Sequence, residues 1–365
     1  MEKKMKVYLQ YPWKFPDSPY YKSLIENPPS NVEFENTSNQ KGVITNKKFF
    51  WISNFLKRNI RRFTNTFRFT IPNAHLTPLE DYDLIHCAHC LSKNVNESWI
   101  ADIESPWQLY VGDKTDSAKM KVEEILYRKN CKMILPWTKA TMDELLEDFP
   151  NLKDKMEVLY PAIPEKKFNK KKKKEINLIF SGRYFFRKGG LHALEAINEL
   201  TKKYNNVYGI INSEVPSEIM EKYSDNKKIR FYSLMPQEKL FNLYSQSDIL
   251  VYPGYSDSFG FAYLEAMSFG IPVVTVDGYA RRELIEDGKT GFIIKGPEIK
   301  DFEKFIKVDS RGITNLIVNK VEIIIADEKL RKKMSKNCLK EIENGKFSIK
   351  VRNKKLKKIY YEAIK

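Results

Sequence analysis

The sequence predicts an α/β protein built of two doubly wound domains that face each other across a cleft. Three observations lead there. Apolar runs of strand length alternate with helix-length segments over the first half of the chain, and the pattern recurs over the second half. At 365 residues, 42% hydrophobic and 13% aromatic, the chain can fill two cores. Between the halves stand five consecutive lysines, Lys170 to Lys174, which repel one another and resist burial, so Asn169 to Glu175 reads as an exposed connection. The expected boundaries are 1–168, a lysine-rich linker at 169–175, 176–347, and a C-terminal helix at 348–365.

In the first half, Lys6 to Gln10 is a short strand ending at Tyr11-Pro12, and Asp83 to Cys87 is another. Ile100 to Ile103 and Gln108 to Val111 read as a strand pair or one broken strand, and Lys132 to Pro136 and Glu157 to Tyr160 complete the set. An amphipathic helix, Thr138 to Phe149, lies between the last two, with Thr138 placed to cap it. In the second half, strands are expected at Ile176 to Phe180, Val207 to Ile211, Lys228 to Tyr232, Ile249 to Tyr252 and Pro272 to Val276. Helices Gly190 to Tyr204 and Gln237 to Ser245 separate some of them, which fits a parallel sheet covered on both faces. Ser348 to Ile364 is a basic helix with Val351, Leu356, Ile359, Tyr360 and Ala363 near helical spacing.

A net charge of +16 favours anionic partners, whether phosphates, acidic headgroups or nucleic acid, without choosing among them. No uninterrupted run of about 18 apolar residues occurs, and no signal-peptide pattern, so a cytosolic chain is expected. The four cysteines, Cys87, Cys90, Cys131 and Cys338, are expected to be reduced.

Two loops carry the chemistry. After the strand Ile249 to Tyr252, a glycine-bearing loop (Gly254 to Gly260) leads into a helix starting near Ala262. Backbone amides around Phe259, Gly260, Phe261 and Ala262 then form a helix N-terminus with about half a positive charge, which suits a phosphate. Glu265, one turn further in, is placed to accept hydrogen bonds from sugar hydroxyls, so the loop reads as a nucleotide-sugar clamp. The second loop is SGRYFFRKGG, Ser181 to Gly190, where Arg183 and Lys188 can converge on a diphosphate at the sheet's carboxyl edge, Gly189-Gly190 lets the backbone pack closely as the next helix begins, and Gly182 is expected at the donor. A basic pair alone would more often be a solvated face. It gains meaning from the anion-binding loop at the matching end of another strand.

Together GRYFFRKG, DSFGFAYLEAMSFGIPVVTV and ELIEDGKTGF resemble the retaining glycosyltransferases of the family-4 type (glycosyl transferases group 1), well over Ile176 to Phe292 and loosely over the first half. The resemblance implies the GT-B fold, two Rossmann-like domains, and a nucleotide-diphosphate sugar as donor, with no cofactor. By the same resemblance, Arg183 and Lys188 hold the diphosphate, Glu265 binds the ribose, Ser233 to Pro236 with Met235 lines the base pocket, and the terminal helix crosses back onto the first domain. Asp257 falls where the family usually has Glu; its carboxylate is set back by about 1.5 Å, one bond length. The family's N-terminal histidine has its counterpart in the region of His86 or His89, or of Asp102 and Glu104, and His89 and Glu104 are the candidates for lining the cleft. The glycine-rich turn frequent after the family's first strand is absent, since YPWKFPDSPYY follows Gln10. The acceptor, a glycan, a lipid-linked group or a small molecule, stays open, as does the donor base.

Weaker signals have plainer accounts. His86, Cys87, His89 and Cys90 suggest a metal by type, but alternate strand residues point to opposite faces and one strand cannot aim all four at one ion. Asp81-Tyr82-Asp83 has a metal-binding form without supporting ligands, and with Arg183 and Lys188 at hand no metal is required. Lys47 to Arg68 sets Phe49, Ile52, Leu56, Phe63 and Phe67 at helical spacing beside Lys57, Arg58, Arg61 and Arg62. That suits an anionic membrane surface or an ordinary helix with a basic outer face. Two rival functions remain: an epimerase or phosphorylase on the same fold, and a polyanion-binding protein with a degenerate donor site. Nucleic acid is disfavoured because the Arg183, Lys188 and Glu265 elements are intact.

Overall fold

Two parallel sheets organise the chain. A computed structural model describes residues 4–11, 19–37, 70–166, 168, 174–296 and 310–365. The Lys47 to Arg68 segment, most of the turn after Gln10 and most of the lysine linker lie outside the described residues. The chain divides into one unit of Met1–Ala162 with Ile349–Lys365, and a second of Ile163–Ser348.

The first unit's sheet holds β1 (Met5–Gln10), β2 (Val32–Glu35), β3 (Leu84–Ala88), β4 (Trp99–Ile103) and β5 (Cys131–Pro136). Their order is β2-β1-β3-β4-β5, with every neighbouring pair parallel. Both β3 and β4 are buried at all five positions, as central strands covered on two faces must be. Helices α1 (Pro19–Glu26), α2 (Asp116–Tyr127) and α3 (Lys139–Asp148) belong to this unit. Thr138 caps α3 as expected, its hydroxyl accepting from the Thr141 amide at 3.0 Å, a contact that contributes about 1 kcal/mol.

Two expected strands are corrected. Gln108 to Val111 is not a strand: Pro106–Leu109 is a 3-10 turn, started by proline at its first position and by a capping box between Ser105 and Gln108. Only Tyr110 and Val111 extend, pairing antiparallel with Ile71–Pro72. Glu157 to Tyr160 forms no strand either. The amides of Glu157 and Leu159 bond to Ile134 O (3.1 Å) and Pro136 O (2.9 Å), but the ladder stops as the chain runs into Pro161, which has no amide to donate.

The second unit's sheet holds β6 (Ile176–Ser181), β7 (Val207–Asn212), β8 (Ile229–Tyr232), β9 (Ile249–Val251), β10 (Val273–Val276) and β11 (Gly291–Ile294). All neighbours are parallel in the order β8-β7-β6-β9-β10-β11. That is the doubly wound order, and it reverses between β6 and β9. Connecting segments form α4 (Gly190–Lys203), α5 (Ser217–Lys222), α6 (Gln237–Ser245), α7 (Phe261–Ser268), α8 (Arg281–Leu284), α9 (Ser310–Ala326) and α10 (Glu328–Glu343). The inner face of α4 buries Ala193, Leu194, Ile197 and Leu200.

Helix α11 (Ile349–Ala363) closes the chain within the first unit. Leu356, Ile359, Tyr360 and Ala363 are buried. Arg352, 1% exposed, donates to Ser23 Oγ (3.2 Å) and Asn27 O (2.7 Å), so its charge is carried inward on neutral acceptors. Among the described residues, no helix is long and apolar enough to cross a membrane.

Candidate functional site

In an open parallel sheet, ligands bind beyond the carboxyl ends of the strands at the point where strand order reverses. In the second unit that point lies between β6 and β9, which pair directly through Leu178 with Ile249 and Ile179 with Leu250. The loops leaving them, Gly182 to Gly189 and Tyr252 to Gly260, correspond to the two stretches singled out from sequence, Ser181 to Gly190 and Gly254 to Gly260. They are bonded to each other: the Gly254 amide donates to Lys188 O (3.0 Å), and Ser256 Oγ donates to Arg187 O (3.1 Å).

Two glycines make this junction possible. Gly189 has φ +79°, and a Cβ there would lie 2.5 Å from Pro253 Cβ. Gly260 caps the start of α7 with φ +87°, and a Cβ would lie 2.6 Å from the Tyr263 ring. A side chain at either position would incur both left-handed backbone strain and a clash. Gly260, Phe261 and Ala262 thereby begin α7 at the sheet's carboxyl edge, where the end of a helix favours an anion. Phe259 is buried beside them, its ring 5.1 Å from that of Phe261.

Arg183 and Lys188 are both partly buried in the first loop. The Lys188 ammonium forms an ion pair with Asp257 Oδ1, and Tyr252 donates its hydroxyl to the other carboxylate oxygen at 2.6 Å. Asp257 therefore spans the two loops. Burial and the Asp257 charge push the Tyr252 phenol well above its usual range, keeping it a donor. Glu265 lies one turn into α7 and accepts from Gln237 Nε2 of α6 at 3.1 Å. Desolvation lifts its pKa to about 7, opposed by the Gln237 bond and the nearby Lys166 charge. Met235 sits partly buried in the turn after β8.

Several supports had no sequence signal of their own. Ser181 Oγ donates to Asn212 Oδ1 (3.0 Å), Asn212 Nδ2 to Ser233 O (2.8 Å), and Ser213 Oγ to Gly182 O (2.5 Å). These bonds tie the exits of β6, β7 and β8, including the Met235 turn, to one another. Arg281, 2% exposed, donates to Gly254 O at 2.7 Å and holds the second loop from beneath. It stands just before the ELIEDGKTGF stretch, and no local pattern marks its partner.

In the first unit, His89 and Glu104 follow the carboxyl ends of the neighbouring strands β3 and β4. His89 has φ +56°, an uncommon conformation for a residue with a side chain, and is 5% exposed. Its ring packs on Trp137 (4.8 Å between centroids) and Tyr21 (5.2 Å), with Nδ1 3.7 Å from Asp102 Oδ1. Asp102 is the hub here. It accepts from the Tyr21 hydroxyl (2.5 Å) and lies 2.9 Å from His86 Nε2, whose Nδ1 is 2.7 Å from the Tyr360 hydroxyl of α11. Glu104 is held through its backbone, its amide donating to Gln108 Oε1 (2.9 Å) and its carbonyl accepting from Thr141 Oγ1 (2.8 Å). Asp81 and Asp83 do not face a metal: Lys6 takes both, through its ammonium (2.7 Å) and its amide (2.8 Å). Among the described residues no cluster of three or more His, Cys, Asp or Glu could hold a metal ion, and all four cysteines are buried.

Residues 162–308 match the family model of glycosyl transferases group 1. The second unit is a group 1 glycosyltransferase domain. The chain is also similar to the D-inositol 3-phosphate glycosyltransferase of Corynebacterium urealyticum, at 24% identity over 257 residues, and spans 60% of that relative's length. A crystal structure of a glycosyltransferase from Rickettsia africae superposes over 100% of both chains with a TM-score of 0.67 at 14% identity. That of HepE from Anabaena in complex with UDP covers 97% of this chain and 98% of the other, with a TM-score of 0.60 at 12% identity. The fold is GT-B, and both group 1 loops of the domain lie on neighbouring strand ends.

Proposed function

We propose that the protein is a retaining glycosyltransferase that moves a sugar from a nucleotide-diphosphate donor to an acceptor recognised by the first unit. The observation that carries this reading is the junction at the β6/β9 reversal, where Arg183, Lys188 and the α7 N-terminus share one sheet edge. The donor diphosphate is assigned to Arg183, Lys188 and the amides of 260–262, with Gly182 allowing close approach. Glu265 is assigned to the ribose hydroxyls and the 233–236 turn to the base. Rate enhancement would come from holding the donor and stabilising the departing diphosphate, a role that two cations and a helix end fill without a metal ion. His89 and Glu104 are the proposed acceptor-side groups. An anionic membrane surface remains the proposed partner of Lys47 to Arg68.

In this reading Asp257 is the catalytic-side carboxylate near the donor sugar ring and has a second duty. It holds Lys188 while no donor is present, and an arriving diphosphate must compete with a carboxylate for the ammonium. Retention is carried over from the family resemblance and is tested by the anomeric configuration of the product. The decisive experiment is a thermal-stabilisation screen of nucleotide-diphosphate sugars, repeated for the best donor with Arg183→Ala and Lys188→Ala. Loss of most of the shift in both variants is expected; an unchanged shift in both would remove the diphosphate assignment.

A further inference from the structure

The donor chemistry gives the buried cluster around Asp102 no task. Asp102 lies near the carboxyl end of β4 and is 0% exposed. Among the described residues no lysine or arginine pairs with it; its side-chain neighbours are phenols and imidazoles. A buried carboxylate without a cation is costly, and apolar side chains would stabilise such a core at least as well. Its presence needs a reason other than stability.

The partners fix where the protons lie. Burial first, and the Asp102 charge after it, hold the Tyr21 and Tyr360 phenols well above their usual range, so both remain donors. Tyr11 and Tyr20, the other phenols within reach of that charge, are raised for the same reasons. Tyr21 donates to Asp102 Oδ1 at 2.5 Å. Tyr360 donates to His86 Nδ1 at 2.7 Å, which leaves the His86 proton on Nε2, and that nitrogen donates to Asp102 Oδ2 at 2.9 Å. Oδ2 is thus engaged by a ring with both nitrogens taken. Oδ1 is the oxygen turned to His89, 3.7 Å from its Nδ1.

The main chain of His89 is fixed by the same strand. Its amide donates to Asp102 O (3.2 Å), its carbonyl accepts from Asn73 Nδ2 (2.9 Å), and its φ of +56° is one that the surroundings must impose. Tyr21 and Trp137 meet the ring at 77° and 58°, so turning it over must push an aromatic neighbour aside. From this geometry we infer that Asp102 is a positioning residue for His89. Its Oδ1 keeps the His89 proton on Nδ1, so that the opposite nitrogen, Nε2, carries the lone pair offered to a sugar hydroxyl. The inference rests on the acceptor-side role proposed above for His89. At 3.7 Å the interaction is that of a charge with an N–H dipole, beyond direct hydrogen-bond length, and a buried setting screens it little. Tyr21 serves both members, its hydroxyl holding Oδ1 and its ring the imidazole. A cluster that only ties α11 to the sheet through Tyr360 and His86 predicts otherwise: losing Tyr360 and losing Asp102 should then act alike.

With only four histidines in the chain, nuclear magnetic resonance tests this directly. In the full chain carrying isotope-labelled histidine at pH 8, above the ordinary histidine range, the ring-nitrogen shifts report each tautomer, and His89→Asn assigns the His89 signals. The wild type should carry the His89 proton on Nδ1, Asp102→Asn should move most molecules to the Nε2 tautomer, and Tyr360→Phe should leave it unchanged. Turnover of the donor found by the stabilisation screen should fall about tenfold or more in Asp102→Asn, with the donor KM changed less than about twofold. A wild-type proton on Nε2, alone or together with Nδ1, overturns the inference and leaves the proposed role of His89 standing. That measurement needs no change at Asp102, so it decides even where Asp102→Asn does not fold. An unmoved tautomer in folded Asp102→Asn, or the same movement in Tyr360→Phe, overturns it as well. A moved tautomer with unchanged turnover removes His89 from the reaction, and the inference falls with that role.

Discussion

At the scale of single residues, Glu265 and Asp257 make the sharpest predictions. A carboxyl whose folded pKa is about 7, against an ordinary 4.5, keeps a proton that the unfolded chain has already released between those pH values. Stability therefore falls as pH rises across that window, and Glu265→Gln should flatten the slope. The variant should be more stable than the wild type above pH 7, by about 1–2 kcal/mol, and urea unfolding at pH 5 and pH 8 would show it. If ionised Glu265 accepts ribose hydroxyls, donor affinity should rise from pH 6 to pH 8 in the wild type and stay flat in the variant. For Asp257, the Lys188 pair and the Tyr252 bond suggest a competitor for the diphosphate. Asp257→Asn should bind nucleoside diphosphates severalfold more tightly while turning over more slowly, as read by calorimetry and initial rates. Weaker diphosphate binding would make Asp257 part of the grip instead.

At the scale of elements, α7 and its glycine start are the test. Gly260→Ala adds left-handed strain and a methyl against Tyr263, and should destabilise the chain by about 1–3 kcal/mol while removing donor-induced stabilisation. Thermal denaturation with and without donor separates the two effects; an intact donor shift in a folded variant would remove the 260–262 amides from the site. The extent to which sequence revealed these elements follows from how local their causes are. Gln237–Ser245 was legible to the residue because proline precedes it and its apolar spacing is clean. The strands of the second sheet were legible because they are continuous apolar runs. Gln108 to Val111 was misread because a proline-started turn outranks its apolar content, and β2, α2 and β11 escaped notice. The site divides in the same way. Arg183, Lys188, Gly260 and Glu265 announced themselves through loop and helix-start chemistry, whereas Gln237, Asn212 and Tyr252 matter through partners 28, 31 and 5 positions away. The conformation of His89 and the burial of Asp102 are likewise products of packing, not of local pattern.

At the scale of the whole molecule, the chain's end matters most to its beginning. Helix α11 belongs to the first unit, where it buries Leu356, Ile359 and Tyr360, ties Tyr360 to His86, and sets Arg352 on Ser23 and Asn27. Truncation after Ser348 would expose that surface and leave the His86 ring and the Asn27 carbonyl short of a partner. Burial of three large side chains alone amounts to about 5–8 kcal/mol, comparable to the whole stability of many domains. The second unit has its own sheet and core, so its unfolding should be little changed. Differential scanning calorimetry of the truncated chain should therefore show the first unit's transition lowered by tens of degrees or lost, with the second unit's transition retained. A nucleotide-diphosphate sugar should still raise that retained transition, since every residue assigned to the donor lies between 182 and 265. Loss of both transitions together would mean that α11 also sustains the donor-binding unit, and the division of labour between the two units would have to be redrawn.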